Sequence, residues 1–129
     1  MTAIEINNVT KHFCKVCALD DVSLKIAKGE LFGIIGPDGA GKTTLFRILA
    51  TLLVPEKGTA SVDGFDTVTM MREIRKRVGY MPGRFSLYQD LTVEENLKFF
   101  AKLFGTTIEA NYDSIRRSEE RRVGKECLR

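Results

Sequence analysis

Apolar and polar positions alternate along two early stretches, Ile4 to Val9 and Val22 to Ile26, with the period of two that marks strands buried on one face. Both are expected in an antiparallel flank. Next comes a short unbroken apolar run, Leu31-Phe32-Gly33-Ile34-Ile35, the pattern of a strand buried on both faces. The period then turns helical: Leu45, Ile48, Leu49 and Leu52 fall on one face, and Pro55 and Gly58 are expected to stop the helix. Gly58 to Val62 and Asp63-Gly64-Phe65 predict a further short strand and turn on the flank. Arg72 to Arg77 reads as the solvated face of a charged helix. Thr92 and Glu95 have the spacing of a capping box, and Val93, Leu97, Phe100 and Phe104 then form one apolar stripe, expected as core. Asn111 to Arg116 opens another segment, and no repeat, low-complexity tract or linker intervenes.

Composition adds limits to this pattern. At 129 residues one domain is expected, and 43% apolar content suits a packed core. The formal charge is +3, but residues 117 to 129 hold five basic and three acidic groups and supply +2 of it, leaving +1 for the rest. No basic patch with interleaved aromatics remains, so nucleic acid is not an expected partner. No run of eighteen apolar residues occurs and no signal peptide precedes Met1-Thr2-Ala3, so a cytoplasmic protein reaching a membrane only through a partner is expected. Cys14 and Cys17 form one C-x-x-C, which cannot supply four tetrahedral ligands, and they fall in the turn between the first two strands rather than at a helix start. Two incidental reduced thiols is the expectation.

The chemistry concentrates between Ile35 and Leu45. Gly36-Pro37-Asp38-Gly39-Ala40-Gly41-Lys42-Thr43 is a full G-x-x-x-x-G-K-[ST] loop, followed by Thr44. A triphosphate packs several negative charges into a small volume, and binding it takes donors denser than side chains allow. Gly36, Gly39 and Gly41 are expected to let the backbone fold into a concave nest of inward N–H groups. The helix starting near Gly41 adds the positive end of its dipole. Lys42 is placed to reach the outer phosphates, and the Thr43 hydroxyl to ligate Mg²⁺. Asp38 sits uneasily beside phosphates unless its carboxylate turns to cap donors of its own turn.

The flanks narrow the class. Val9 to Phe13, Ala18 to Ile26 and Lys28-Gly29-Glu30 precede the loop; Gly79-Tyr80-Met81-Pro82 and Leu87-Tyr88-Gln89-Asp90-Leu91-Thr92-Val93-Glu94-Glu95-Asn96-Leu97 follow it. With these motifs in this order, residues 4 to 116 closely resemble the nucleotide-binding domain of ABC transporters, most of all the drug-export branch. The resemblance implies an α/β P-loop core, its N-terminal half only, with an antiparallel β flank and the start of a helical subdomain. It implies ATP and Mg²⁺ as ligands, a membrane permease as partner, and a second ABC ATPase domain closing face to face over two nucleotides. On this reading the protein lies on the inner face of the cell membrane. Phe13 matches the aromatic that stacks on adenine. Residues 79 to 90 match the segment that joins the core to the helical subdomain and touches the membrane subunit. That segment normally carries a glutamine after the proline; here Gly83 follows Pro82, so the metal-reaching side chain is absent.

The end of the chain departs from the family. Arg117 to Cys127, R-S-E-E-R-R-V-G-K-E-C, looks like a sequencing-library adapter translated as coding DNA, so residues 1 to 116 are expected as a partial ATP-binding domain and 117 to 129 as a non-native tail. No L-S-G-G signature, Asp-Glu-tipped strand or switch histidine follows Gly83, so no catalytic residue is expected in this stretch. The function implied is the ATP-binding, and when intact ATP-hydrolysing, subunit of an exporter. A soluble ABC-type regulator working on ribosomes or DNA is the alternative. A P-loop GTPase would need N-K-x-D, and a dinucleotide enzyme G-x-G-x-x-G; neither is present.

Overall fold

The computed structural model describes residues 1–84, 87–113 and 116. The tail at 117–129, and the non-native origin read from it, lie outside the described residues. The chain divides into two compact units, Met1–Met81 and Pro82–Arg129.

In the first unit β1 (Thr2–Phe13) and β2 (Val16–Ala27) form a long antiparallel hairpin, and β3 (Lys57–Val62) and β4 (Phe65–Asp66) extend it in the order β2-β1-β3-β4. Both long strands outrun the alternation that announced them. The register shifts between Ile6 and Val9, where Asn8 takes a positive φ of 51° opposite Asp21, also at 49°. Asn8 Nδ2 donates to Asp21 Oδ1 at 2.8 Å and its backbone N–H to Ser23 Oγ at 2.8 Å. Such a bulge breaks the period of two while leaving the strands paired. Across it runs Gly58, at φ 78°, where an added Cβ would lie 2.3 Å from the carbonyl oxygens of Asn7 and Asn8. Asp63 and Gly64, with φ of 51° and 82°, make the two-residue turn into β4, the conformation in which strand twist and hairpin closure agree.

The helix after the loop, α1 (Lys42–Leu49), buries Leu45, Ile48 and Leu49 against Ile6, Val9, Leu19, Ala60 and Val62, with Ile74 closing the core. It ends before the predicted stop, and Leu52 is 54% exposed beyond it. The cause is a left-handed residue at Thr51 (φ 60°), with Leu52 N–H donating to Arg47 O at 2.8 Å and Thr51 N–H to Ile48 O at 3.0 Å. This closure usually employs glycine. Here Arg75, ending α2 (Met71–Arg75), donates from Nε to Thr51 Oγ1 at 2.8 Å and from its terminal nitrogen to Thr51 O at 3.0 Å. The Arg77 guanidinium lies 4.6 Å from the Phe65 ring centre. The stretch is solvated as expected, with Arg72, Arg75, Lys76 and Arg77 all exposed, yet Arg75 and Arg77 also reach back to the fold, while Lys76 pairs with Glu73 at 2.8 Å.

Leu31 to Ile35 corrects a second expectation. The segment forms no strand, and Leu31 and Ile35 are fully exposed. The side-chain pattern suits a sheet interior, but a strand exists only where another offers its backbone groups, and no described strand runs beside this one.

In the second unit α3 (Val93–Leu103) starts at the predicted capping box: Glu95 N–H donates to Thr92 Oγ1 at 3.3 Å and Thr92 N–H to Glu95 Oε2 at 2.8 Å. Its apolar stripe is not core. Val93, Leu97 and Phe104 are exposed, and the buried residue is Asn96, whose amide binds the backbone of Tyr88 in both directions and the carbonyls of Leu91 and Thr92. Periodicity tells which face is apolar; it does not supply the surface that covers it.

One pH effect follows from the turn after β4. Asp66 accepts the N–H groups of Thr69 at 2.8 Å and Val68 at 2.9 Å and the Thr69 hydroxyl at 3.0 Å. The Thr69 backbone N–H foremost holds its carboxyl below the usual carboxylate value. A depressed folded pKa contributes stability above the unfolded value, lost as pH falls through the folded one. Asp66→Asn is expected to cost about 1 kcal/mol at neutral pH. Denaturant melts should show that difference shrinking as pH drops below about 4.

Candidate functional site

The loop from Gly36 to Thr44 lies on the exposed end of α1, fixed from below by the buried face of that helix. Its glycines are not equivalent. Gly39 (φ 84°) and Gly41 (φ 87°) occupy the left-handed region, where side chains are disfavoured. Gly36 does not, and a Cβ there would meet Ala40 at an ordinary 3.5 Å, so the expectation that all three glycines are conformationally required holds for two. Gly41 is constrained twice, because an added Cβ would lie 2.1 Å from the carbonyl oxygen of Ala18 on β2. No sequence signal singles out Ala18, whose role is carried by its backbone.

This packing makes the donor array. Gly41 caps α1 with no side chain, and the first turn holds no acidic residue. Ala40 N–H donates to Pro37 O at 3.3 Å and Leu45 N–H to Gly41 O at 3.0 Å. Among the described residues nothing accepts from the N–H groups of Gly39, Gly41, Lys42, Thr43 or Thr44. A helix start that satisfies none of its early donors internally concentrates positive potential there. The Lys42 ammonium folds back over the loop and donates to the carbonyls of Gly36 and Pro37, each at 2.6 Å. Those oxygens hold the ammonium over the loop. The Thr43 side chain is exposed and its hydroxyl engages no described residue. Asp38 does not cap its own turn: its carboxylate has no hydrogen bond or ion pair to any described residue.

Phe13 ends β1, opposite Val16 and 43% exposed, with the Lys11 ammonium 5.9 Å from its ring centre. Ala18, which abuts Gly41, is two residues beyond Val16. Strand spacing puts the Phe13 backbone roughly 8 Å from Ala18, on the loop's end of the sheet. Beside the loop, a cavity of about 360 Å³ opens between β2, the 32–35 segment and α1, lined by Leu19, Val22, Leu24, Phe32, Ile34 and Leu45 among others. It is apolar and does not include Phe13. Cys14 and Cys17 are exposed at the hairpin tip, the Cys17 thiol donating to Leu19 O at 3.3 Å. Gly83 has a negative φ and open space around it, so a side chain would fit there. Among the described residues no helix is long and apolar enough to cross a membrane.

Comparison with known proteins gives a consistent set of relatives. A family model described as ABC transporter matches residues 19–126. The chain is 43% identical over 119 residues to the probable multidrug ABC transporter ATP-binding protein YbhF of Escherichia coli K12, covering 92% of this chain and 21% of that protein. It is 50% identical over 91 residues to the ABC transporter ATP-binding protein NatA of Bacillus subtilis 168, covering 70% of this chain and 37% of that one. The chain thus spans well under half the length of these relatives. Among solved structures, the ATP-binding subunit of an ABC transporter superposes with a TM-score of 0.73 at 29% identity, covering 87% of this chain and 46% of that one. A dimeric bacterial ABC transporter cassette gives 0.70 at 31% identity, covering 78% and 47%.

Proposed function

The chain belongs to the ABC transporter family, and from that premise we propose that it binds MgATP through residues 36–44 as part of the ATP-hydrolysing subunit of an exporter. The observation that carries this reading is the array of open N–H groups at Gly39 and Gly41–Thr44, together with the Lys42 ammonium held on the Gly36 and Pro37 carbonyls of the same loop. Such an array suits a polyphosphate: backbone donors for the inner oxygens and a positioned ammonium for the outer ones. Mg²⁺, when bound, neutralises phosphate charge and orients the terminal phosphoryl group. The Thr43 hydroxyl is the residue of this chain available to hold it, the remaining ligands being phosphate oxygens and water.

Export is supported by the relatives' names, which include multidrug and doxorubicin-resistance ATP-binding proteins. A permease at the inner membrane face and a second ATPase domain are the proposed partners, the latter supported by the dimeric cassette. In the second unit, a groove of about 210 Å³ lined by Leu87, Tyr88, Leu91, Val93, Leu97 and Phe100 offers such a permease an apolar seat. Residues 1–116 are proposed as the N-terminal part of the ATP-binding domain, with the catalytic carboxylate elsewhere in the intact protein. The full-length protein is expected to release phosphate from ATP with Mg²⁺ and to stop when EDTA is added. Absence of MgATP binding by equilibrium dialysis would overturn the proposal.

Phe13 is proposed to stack on the base. Its exposure argues against a core role, so Phe13→Ala should lose about 1–3 kcal/mol of ATP affinity while Phe13→Tyr and Phe13→Trp keep it. Normal binding by the alanine variant with a collapsed melting temperature would make Phe13 structural instead.

A further inference from the structure

Asp38 is the residue whose placement the phosphate-binding reading does not account for. It lies inside the loop, between Pro37 and Gly39, and its exposed carboxylate meets no donor and no cation among the described residues. Lys42 Nζ, whose hydrogen bonds go to the carbonyls of Gly36 and Pro37, forms no ion pair with it. A full negative charge therefore stands at the rim of a cradle otherwise built from donors.

We propose that Asp38 makes this loop discriminate between charge states of its nucleotide, admitting the magnesium complex and disfavouring the metal-free triphosphate. The inference rests on the nucleotide-binding reading and concerns the same site. Repulsion from a fixed charge grows linearly with the charge of the ligand. Metal-free ATP carries about four negative charges at neutral pH and its magnesium complex about two. Asp38 therefore opposes the first about twice as strongly, in free-energy terms, as the second. For a hydrated, salt-screened separation on the order of one Debye length, removing its charge should favour metal-free ATP roughly fivefold and the magnesium complex roughly twofold. The gain for the metal-free ligand is then about the square of the other. Asp38 would thus tilt occupancy about two- to threefold toward the magnesium complex, leaving fewer sites blocked by a form that cannot react.

Asp38→Asn removes the charge while keeping the shape, and Asp38→Ser is a second neutral variant should the amide find a new partner. Both would be made in the full-length protein, checked for unchanged melting temperature, and titrated calorimetrically with ATP in EDTA and with ATP in excess Mg²⁺. The expected result is a larger gain without metal than with it, narrowing as salt rises. Equal gains in the two conditions, or none in either, would overturn the discrimination while leaving nucleotide binding intact. If neither wild type nor variants bind either form, the phosphate-binding reading itself fails and the inference with it.

Discussion

Lys42→Ala is expected to weaken ATP binding by the full-length protein roughly thirty- to seven-hundredfold, about 2–4 kcal/mol. The ammonium is held at 2.6 Å by two loop carbonyls, so it is positioned over the loop before any ligand arrives. A polyphosphate entering the cradle exchanges those carbonyls for charged oxygens, a stronger partnership. Removing the side chain leaves the outer phosphate oxygens without that partner. AMP, whose single phosphate does not reach the same depth, should be nearly unaffected. Parallel titrations of both nucleotides check the difference, and equal losses would contradict the assignment of Lys42 to the outer phosphates.

Gly41→Ala should have the largest effect on stability in the loop, about 2–4 kcal/mol. The substitution forces a side chain into the left-handed region and drives its Cβ to 2.1 Å from Ala18 O, a backbone atom that cannot step aside without displacing β2. Gly39→Ala is the internal comparison. Its φ is nearly the same, 84° against 87°, but the space around it is open, so only the conformational cost of about 1–2 kcal/mol applies. Denaturant melts of the two variants separate strain from collision. Equal destabilisation would mean that the loop and β2 are not in the contact described, and that glycine is required at position 41 by its dihedrals alone.

What the sequence made legible, and what it hid, divides along a physical line. Features set by a few neighbouring residues were readable: the loop itself, the Thr92–Glu95 capping box, the Asp63-Gly64 turn, and the buried face of α1 at Leu45, Ile48 and Leu49. Features that depend on a distant partner were not. The end of α1 is set by Arg75 reaching back to Thr51, twenty-four residues away, and nothing around Thr51 announces a left-handed β-branched residue. The close approach of Gly41 to Ala18 is likewise a backbone contact with no side-chain signature. Leu31 to Ile35 and the stripe of α3 show the converse. Their apolar patterns are plain, yet Leu31, Ile35, Val93 and Phe104 are exposed, because an apolar pattern states a preference for burial that only another surface can meet.

The central claim is that nucleotide phosphate is held by backbone donors of the loop, and it can be tested at those atoms. Amide chemical shifts of Gly39, Gly41, Lys42, Thr43 and Thr44 would be followed in the full-length protein as MgATP is added. These five amides, which have no acceptor among the described residues, are predicted to shift first and most, saturating with the same dissociation constant. AMP at the same concentrations should leave them in place. Saturating shifts elsewhere, with these amides unmoved, would contradict the account.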